Sequence, residues 1–198
     1  MVDKKMTKKF SELLIDVRAC QVCQEHLVHK VRPVLSVHSS AKILIIGQAP
    51  GKKVHDSGIP WDDQSGNRLR EWMGIKKDVF YDTSKIAIVP MGFCYPGKGT
   101  AGDLPPRPEC APLWHKKVLN NMPDIEFTLL IGQHSQNYYL AKCKNSLTET
   151  IKSWEEYLPD YLPLPHPSPR NFILLNKNKW LEKEIIPYLQ IRVKDLTN

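Results

Sequence analysis

The residues of this sequence best suited to chemistry are a histidine in a proline-locked turn, His166-Pro167-Ser168-Pro169-Arg170. Each proline fixes φ at about −65° and biases the preceding residue to an extended conformation, so the segment is close to a preformed hook. Its imidazole is placed to face a pocket, and Arg170 is placed to reach an anionic group. Many such runs are ordinary turns. A functional interpretation is strengthened by a second segment, Gly47-Gln48-Ala49-Pro50-Gly51, which follows an apolar strand.

Four of the five cysteines form a second candidate site. Cys20 and Cys23 make a Cys-x2-Cys pair, and Cys94 and Cys110 stand 16 positions apart around a proline-rich loop. Four thiolates from two segments suit either a [4Fe–4S] cluster or a tetrahedral zinc ion. The alternative is four buried or free thiols, since cysteine is among the most buried residue types. Cys143 has no partner in this pattern and is expected in the core.

The composition is that of an ordinary globular protein, with 41% hydrophobic and 25% charged residues over 198 positions. This length fits one unit with its own core, so we expect a single domain over residues 1–198. Lys and Arg exceed Asp and Glu by 28 − 21 = 7. That excess is compatible with an anionic partner such as nucleic acid, or with a merely basic protein.

The sequence has no pattern typical of a membrane anchor or a signal peptide. Its N-terminal Met1–Lys5 leads into no apolar core of the signal-peptide type. No apolar run approaches the roughly 18 residues needed to cross a bilayer. We therefore expect a cytoplasmic monomer with no membrane partner, in which cysteines are reduced thiols or metal ligands rather than disulfides.

Apolar runs that alternate with helical patterns predict an α/β fold around a mostly parallel sheet. The predicted strands are residues 41–47, 86–91, 127–132 and 161–164, near-continuous apolar runs typical of strands buried on both faces. The predicted helices are residues 11–20, 65–73, 112–121, 133–142, 148–158 and 180–189, the last broken by Pro187. Segments 47–64 and 92–108 are rich in Gly and Pro and are expected to be loops.

Three of the predicted loops follow strands of this sheet. Ligands in such folds bind beyond the carboxyl ends of the strands. The loops that begin at Gly47, Pro90 and His166 are therefore expected to share one rim, and this convergence predicts a binding site there.

Both loop motifs resemble the signature motifs of the uracil-DNA glycosylase superfamily. Gly47–Gly51 and His166–Pro169 occur in the order of those motifs, and Gly58-Ile59-Pro60-Trp61 is similar to a segment of the iron–sulfur branch, often called family 4. The four cysteines have the arrangement of that branch's cluster ligands. The resemblance covers about Cys20 to Leu189. It implies a three-layer sandwich around a four-stranded sheet, a [4Fe–4S] cluster with zinc as the alternative, and DNA as the partner.

The resemblance implies a hydrolase of base-excision repair that removes a deaminated base, uracil above all, from DNA. The base leaves as an anion, so His166 is expected to donate a hydrogen bond to its oxygen. Trp61 is expected to stack on the flipped base, with a core tryptophan as the alternative. The substrate-binding loop comprises Gly47, Gln48, Ala49, Pro50 and Gly51, of which Gln48 is also a catalytic candidate. The expected DNA contacts are Ser168, Pro169, Arg170 and Lys52, with Arg170 replacing a leucine that fills the vacated space.

Two departures from the family pattern leave the substrate and the water activator open. Ala49 stands where the best-known members carry a water-activating aspartate, and Pro90 stands where the family reads uracil with an asparagine. Proline has no side-chain hydrogen bond to offer. Candidates to activate water are His55, Asp56, Asp62 and Asp63, each of which is otherwise a solvated loop charge. The alternative functions are a non-catalytic nucleic-acid-binding protein of the same fold and a glycosylase for another deaminated base such as hypoxanthine.

Overall fold

A computed structural model of the chain describes residues 7–100, 102–171 and 178–198. The N-terminal segment examined for a signal peptide lies outside these residues. The strands are β1 (Ile43–Ile46), β2 (Ile86–Ile88), β3 (Lys98–Gly99), β4 (Gly102–Asp103), β5 (Phe127–Ile131) and β6 (Tyr161–Leu164). The helices are α1 (Lys8–Arg18), α2 (Lys52–Ser57), α3 (Gln64–Met73), α4 (Lys77–Phe80), α5 (Cys110–Leu119), α6 (Gln133–Tyr139), α7 (Leu147–Lys152) and α8 (Ile186–Thr197).

Four of the strands form one parallel sheet in the order β2-β1-β5-β6, while β3 and β4 form a small antiparallel hairpin. Ile45 of β1 lies opposite Ile88 of β2 and Leu129 of β5. Every residue of β1 and β5 is buried, as expected for apolar strands covered on both faces. The predicted α/β class and the four-stranded parallel sheet are confirmed.

Helices cover both faces of the sheet and complete three layers. Because side chains alternate along a strand, Ile43 and Ile45 pack with α3 and α8 on one face. Leu44 and Ile46 pack with α1 and α5 on the other face. The carboxyl ends of the strands are left at one edge of this sandwich, where the loops can converge.

The predicted loop over residues 47–64 is wrong in part, because it contains helix α2. The local sequence gives no strong helical pattern there, and a distant side chain stabilises the helix end. The Arg32 guanidinium donates to the carbonyl oxygens of His55 at 2.7 Å and Asp56 at 2.6 Å. Gly58 then ends the helix in a left-handed conformation with φ of 75°.

The break predicted at Pro187 takes the form of a change of helix type rather than an end of the helix. A π-helical segment, Leu181–Ile185, leads directly into α8, which continues to Thr197. Pro187 lies in the first turn of α8, directly after the π-helical segment. The other differences are in boundaries: the predicted helix 148–158 divides into α7 and a 3₁₀ turn at Trp154–Tyr157, and α4 and the β3–β4 hairpin were not predicted. Within the described parts of the chain, every helix is too short or too polar to cross a bilayer.

Candidate active site

A cavity of about 600 Å³ opens at the carboxyl ends of β1, β2 and β6. Gly47, Pro90 and His166, the first residues of the three loops predicted to share a rim, all line it. Pro60, Trp61, residues 63–65 and the end of the β3–β4 hairpin complete its wall. The volume lies in the range of pockets that hold small ligands, about 300–1,000 Å³.

His166 stands at the end of β6 with its ring against Trp61. The two ring centroids are 5.4 Å apart and the planes are inclined by 27°. Burial lowers the pKa of His166, and the nearby carboxylates of Asp63 and Asp103 oppose this only in part. The imidazole is therefore neutral at pH 7 and carries a single N–H, which makes it a hydrogen-bond donor without a full charge.

The turn that carries His166 is stabilised by hydrogen bonds between its own residues. Asn171 donates from its side chain to the carbonyl oxygen of His166 at 2.8 Å. Its backbone N–H also donates to the carbonyl oxygen of Ser168 at 2.9 Å. Together with the two prolines, these bonds stabilise the turn, and His166 lines the cavity. The role of Asn171 was not predicted, because an asparagine after such a turn is common.

Trp61 packs half-buried against the main hydrophobic core and is also held by its backbone. It has a left-handed φ of 57°, which is uncommon for a bulky residue and marks a constrained site. A Cβ on Gly66 would lie 1.7 Å from the Trp61 carbonyl oxygen, so only glycine fits there. A Cβ on Gly47 would lie 2.9 Å from the Trp61 ring. The indole is thus wedged between the β1 loop and His166 at the floor of the cavity.

All five residues of the loop Gly47–Gly51 line the cavity. The carbonyl oxygen of Gly47 accepts from Met91 N–H, and that of Gln48 accepts from Gly92 N–H, each at 2.9 Å. These bonds join the β1 loop to the β2 loop. The side-chain amide of Gln48 donates to the Leu104 carbonyl oxygen at 3.4 Å. Because that contact is long and exposed, the amide is free to turn toward a ligand.

The two aspartates that follow Trp61 differ in their surroundings. Asp63 lines the cavity, and its carboxylate caps α3 by accepting from Gly66 N–H at 2.8 Å. Asp62 forms an ion pair with Lys77 at 3.3 Å and does not line the cavity. Of these two water-activation candidates, the structure brings only Asp63 to the site.

The candidates on α2 lie beside the cavity rather than in its wall. His55 is buried in a ring cluster with His29 at 5.7 Å and Tyr95 at 6.0 Å between centroids. Its Nδ1 atom has no hydrogen-bond partner among the described residues. Lys52 is exposed and pairs with Asp56 at 2.6 Å. Neither His55, Lys52 nor Asp56 lines the cavity, so none of them is positioned by this structure to contact a base held there.

The DNA contacts expected beyond His166 are placed in part. Ser168 and Pro169 line the cavity, and Arg170 belongs to a 3₁₀ turn, Pro169–Asn171. The side chain of Arg170 lies outside what the structure describes. Lys53, rather than Lys52, is the lysine of α2 that reaches the cavity wall.

The four predicted ligand cysteines, Cys20, Cys23, Cys94 and Cys110, line one pocket on another side of the β2 loop. Two N–H groups point at their sulfurs: Trp114 Nε1 lies 3.4 Å from Cys20 Sγ, and Phe93 N lies 3.3 Å from Cys110 Sγ. Cys143 stands apart and donates to the Gln136 carbonyl oxygen at 3.3 Å. Its separation from the other four was predicted.

This donor set fits a thiolate-ligated centre. Burial raises the pKa of Cys94 to about 11 and that of Cys110 to about 12, so the free thiols are protonated at pH 7. A bound cation reverses that preference and deprotonates its thiols. Among the described residues, no three Cys, His, Asp or Glu donors are gathered closely enough to hold a single ion. The four thiols that line this pocket are compatible with either a [4Fe–4S] cluster or a zinc ion.

A model of the uracil DNA glycosylase superfamily matches residues 36–190. The chain belongs to the uracil-DNA glycosylase superfamily. A Type-4 uracil-DNA glycosylase of Saccharolobus solfataricus is 27% identical over 140 residues, which cover 69% of this chain. The match spans 61% of that relative's length. The resemblance inferred from the two loop motifs is confirmed.

In this member of the uracil-DNA glycosylase superfamily, Pro90 presents a backbone carbonyl where the family pattern has an asparagine side chain. That oxygen accepts from His115 Nε2 at 3.0 Å. Burial lowers the pKa of His115 to about 4, so the ring is neutral and its Nδ1 accepts from the Tyr139 hydroxyl. The Pro90 carbonyl is therefore already bonded to a buried donor, and no side-chain hydrogen-bonding group stands at this position of the cavity wall.

Proposed function

We propose that this protein is a DNA glycosylase that hydrolyses the N-glycosidic bond of a deaminated base, with uracil as the leading substrate. The proposal is carried by the neutral imidazole of His166, held against Trp61 in a cavity that the Gly47–Gly51 loop also lines. Membership of the superfamily and the Type-4 uracil-DNA glycosylase relative support both the reaction and DNA as the partner.

In the proposed reaction, the C1′–N bond breaks and its electrons pass to the departing base. The N–H of His166 donates to the base oxygen on which this charge develops, and a neutral donor suits an anionic leaving group. The base must leave the helical stack to reach His166. Trp61 and the Gly47–Gly51 loop would then hold it by ring contact and backbone N–H groups, since glycine permits close approach of the backbone.

Pro90 favours a second candidate, a glycosylase for another deaminated base such as hypoxanthine. With no amide side chain at this position, the cavity has lost the group that the family uses to select uracil. Gln48 is one of three residues with side-chain amides that line the cavity, with Gln64 and Asn171, and its long bond to Leu104 leaves it able to present either its oxygen or its nitrogen. A broader choice of bases follows from such an adaptable group.

We further propose that Cys20, Cys23, Cys94 and Cys110 hold a [4Fe–4S] cluster, with zinc as the alternative. Its contribution would be structural, because these cysteines join the segment after α1 to the loop after β2 and to α5. That loop bonds to Gly47 and Gln48, so an intact centre would stabilise the cavity at a distance.

Base release from defined oligonucleotides tests this function. Strands that carry a single uracil, hypoxanthine or xanthine are incubated with the protein and then treated with alkali, which cleaves at an abasic site. We expect cleavage at uracil or hypoxanthine and far less of it with His166→Ala. Binding of the same strands with no cleavage at any base would favour the non-catalytic nucleic-acid-binding protein instead.

A further inference from the structure

We propose that Asp103 is the carboxylate that orients and deprotonates the attacking water, and that Tyr95 positions it. This inference rests on the proposed glycosylase function. The family pattern leaves the step unassigned in this chain, because Ala49 replaces the aspartate of the best-known members. Asp103 was absent from the sequence-based candidates, which were all near the β1 loop.

Asp103 ends the β3–β4 hairpin and lines the cavity. The hydroxyl of Tyr95, a buried residue, donates to its Oδ1 atom at 3.4 Å. Its Oδ2 atom lies over the β1 loop, 3.4 Å from the position that a Cβ would take on Gly51. One oxygen is therefore held by the protein, and the other faces the loop that is proposed to hold the base.

Asp63 and Asp103 are the two carboxylates that line the cavity among the residues the structure describes. Asp63 is engaged by the first turn of α3, since its Oδ1 accepts from Gly66 N–H. Each of the two carboxylates keeps one oxygen outside these bonds. The bond to Asp103 is the longer one, at 3.4 Å against 2.8 Å for the Asp63 cap, and the second oxygen of Asp103 lies over the β1 loop. We therefore assign the proton acceptor to Asp103.

Asp103 and His166 reach the cavity on loops that follow the two outer strands of the sheet, and Asp103 is near enough to oppose the lowering of the His166 pKa. The hairpin follows β2 and the His166 loop follows β6, and these are the two outer strands in the order β2-β1-β5-β6. Hydrolysis needs this division, because the departing base and the attacking water lie on opposite faces of C1′. A donor on one side and an acceptor on the other would meet both requirements.

His166 and Asp103 together account for every bond and proton that changes in the hydrolysis. The C1′–N bond pair leaves with the base, whose oxygen accepts a hydrogen bond from His166. The water oxygen forms a new bond to C1′ and its proton passes to the Asp103 carboxylate. Solvent then returns a proton to the released base and removes one from Asp103, so no further reactant is needed.

Single-turnover base release by Asp103→Asn tests the proposal, using the base that the wild-type protein cleaves best. A lost general base typically lowers the rate by about 10²–10⁴-fold, and we expect that loss with little change in DNA affinity. Tyr95→Phe should show a smaller fall in rate at unchanged affinity, as expected for a positioning residue. Asp195→Asn removes an exposed charge on α8, away from the cavity lining, and should keep the wild-type rate.

Added formate supplies a second readout. A small carboxylate can occupy the space left in Asp103→Ala and accept the proton, so formate should raise the rate of this variant but not that of His166→Ala. A wild-type rate in Asp103→Asn, or no effect of formate on Asp103→Ala, would overturn the role of Asp103 while leaving the proposed function standing. A wild-type protein that releases no base would overturn the function and this role together.

Discussion

The buried histidine beneath Pro90 makes the protein's stability depend on pH. His115 is 1% exposed and has a pKa of about 4 in the folded protein against an ordinary value of 6.5. The unfolded chain takes up a proton as the pH falls through 6.5, whereas the folded chain resists it. The contribution of the neutral, buried His115 to the free energy of unfolding is therefore complete above pH 6.5 and is lost progressively down to about pH 4.

The size of this loss follows from the two pKa values. Each unit of difference corresponds to about 1.4 kcal/mol, so the interval from 6.5 to about 4 gives a loss of about 3 kcal/mol. His166 shifts in the same direction because burial also lowers its pKa, and it adds to the slope.

Urea unfolding followed by tryptophan fluorescence at pH 7, 6, 5 and 4 measures the effect. The free energy of unfolding should fall over this range in the wild type and fall less in His115→Gln, which removes the titrating ring but keeps an amide donor for the Pro90 carbonyl. Adding His166→Gln to this variant should further reduce the dependence of the free energy of unfolding on pH. Equal slopes in His115→Gln and the wild type would refute the reasoning.

The remaining predictions concern the four cysteines, the position of Trp61 and the binding of DNA. Protein purified without oxygen should be brown and contain iron and sulfide, and Cys20→Ala should lower its stability before it alters base release. A colourless protein with one zinc ion would keep the metal site but exclude the iron–sulfur cluster. A protein without metal would exclude both the cluster and the zinc site. Gly66→Ala would place a Cβ 1.7 Å from the Trp61 carbonyl oxygen, so we expect a lower melting temperature and slower base release; an unchanged melting temperature would show that the loop adjusts. Binding should weaken steeply with salt through counterion release, and Arg170→Ala should lose more affinity for duplex than for single-stranded DNA; equal losses would indicate a plain phosphate contact.

The sheet and the shared rim could be predicted because their signals are local. Continuous apolar runs such as residues 43–46 are rare outside buried strands, and parallel strands bring their carboxyl ends to one edge. Given that geometry, Gly47, Pro90 and His166 had to converge. The four cysteines singled out by their spacing likewise line one pocket.

The parts that could not be predicted depend on contacts between distant residues. Helix α2 is stabilised at its end by Arg32, which precedes it by about 20 positions in the sequence. Asp103 reaches the cavity only through a short hairpin in a segment whose Gly and Pro content predicted a plain loop. His55 was a candidate because it follows the β1 loop, yet the helical turn of α2 directs it to His29 and Tyr95 instead.

The central claim is that His166 acts on the departing base, and single-turnover release by His166→Ala and His166→Asn tests it most directly. Losing one preorganised donor costs about 10²–10³ in rate, or roughly 3–4 kcal/mol. A contact that strengthens in the transition state should affect rate more than affinity. We therefore expect the alanine variant to bind DNA nearly normally and lose most base release, and the asparagine variant to retain more because its amide still donates. A wild-type rate in the alanine variant would reduce His166 to a turn residue and contradict the account.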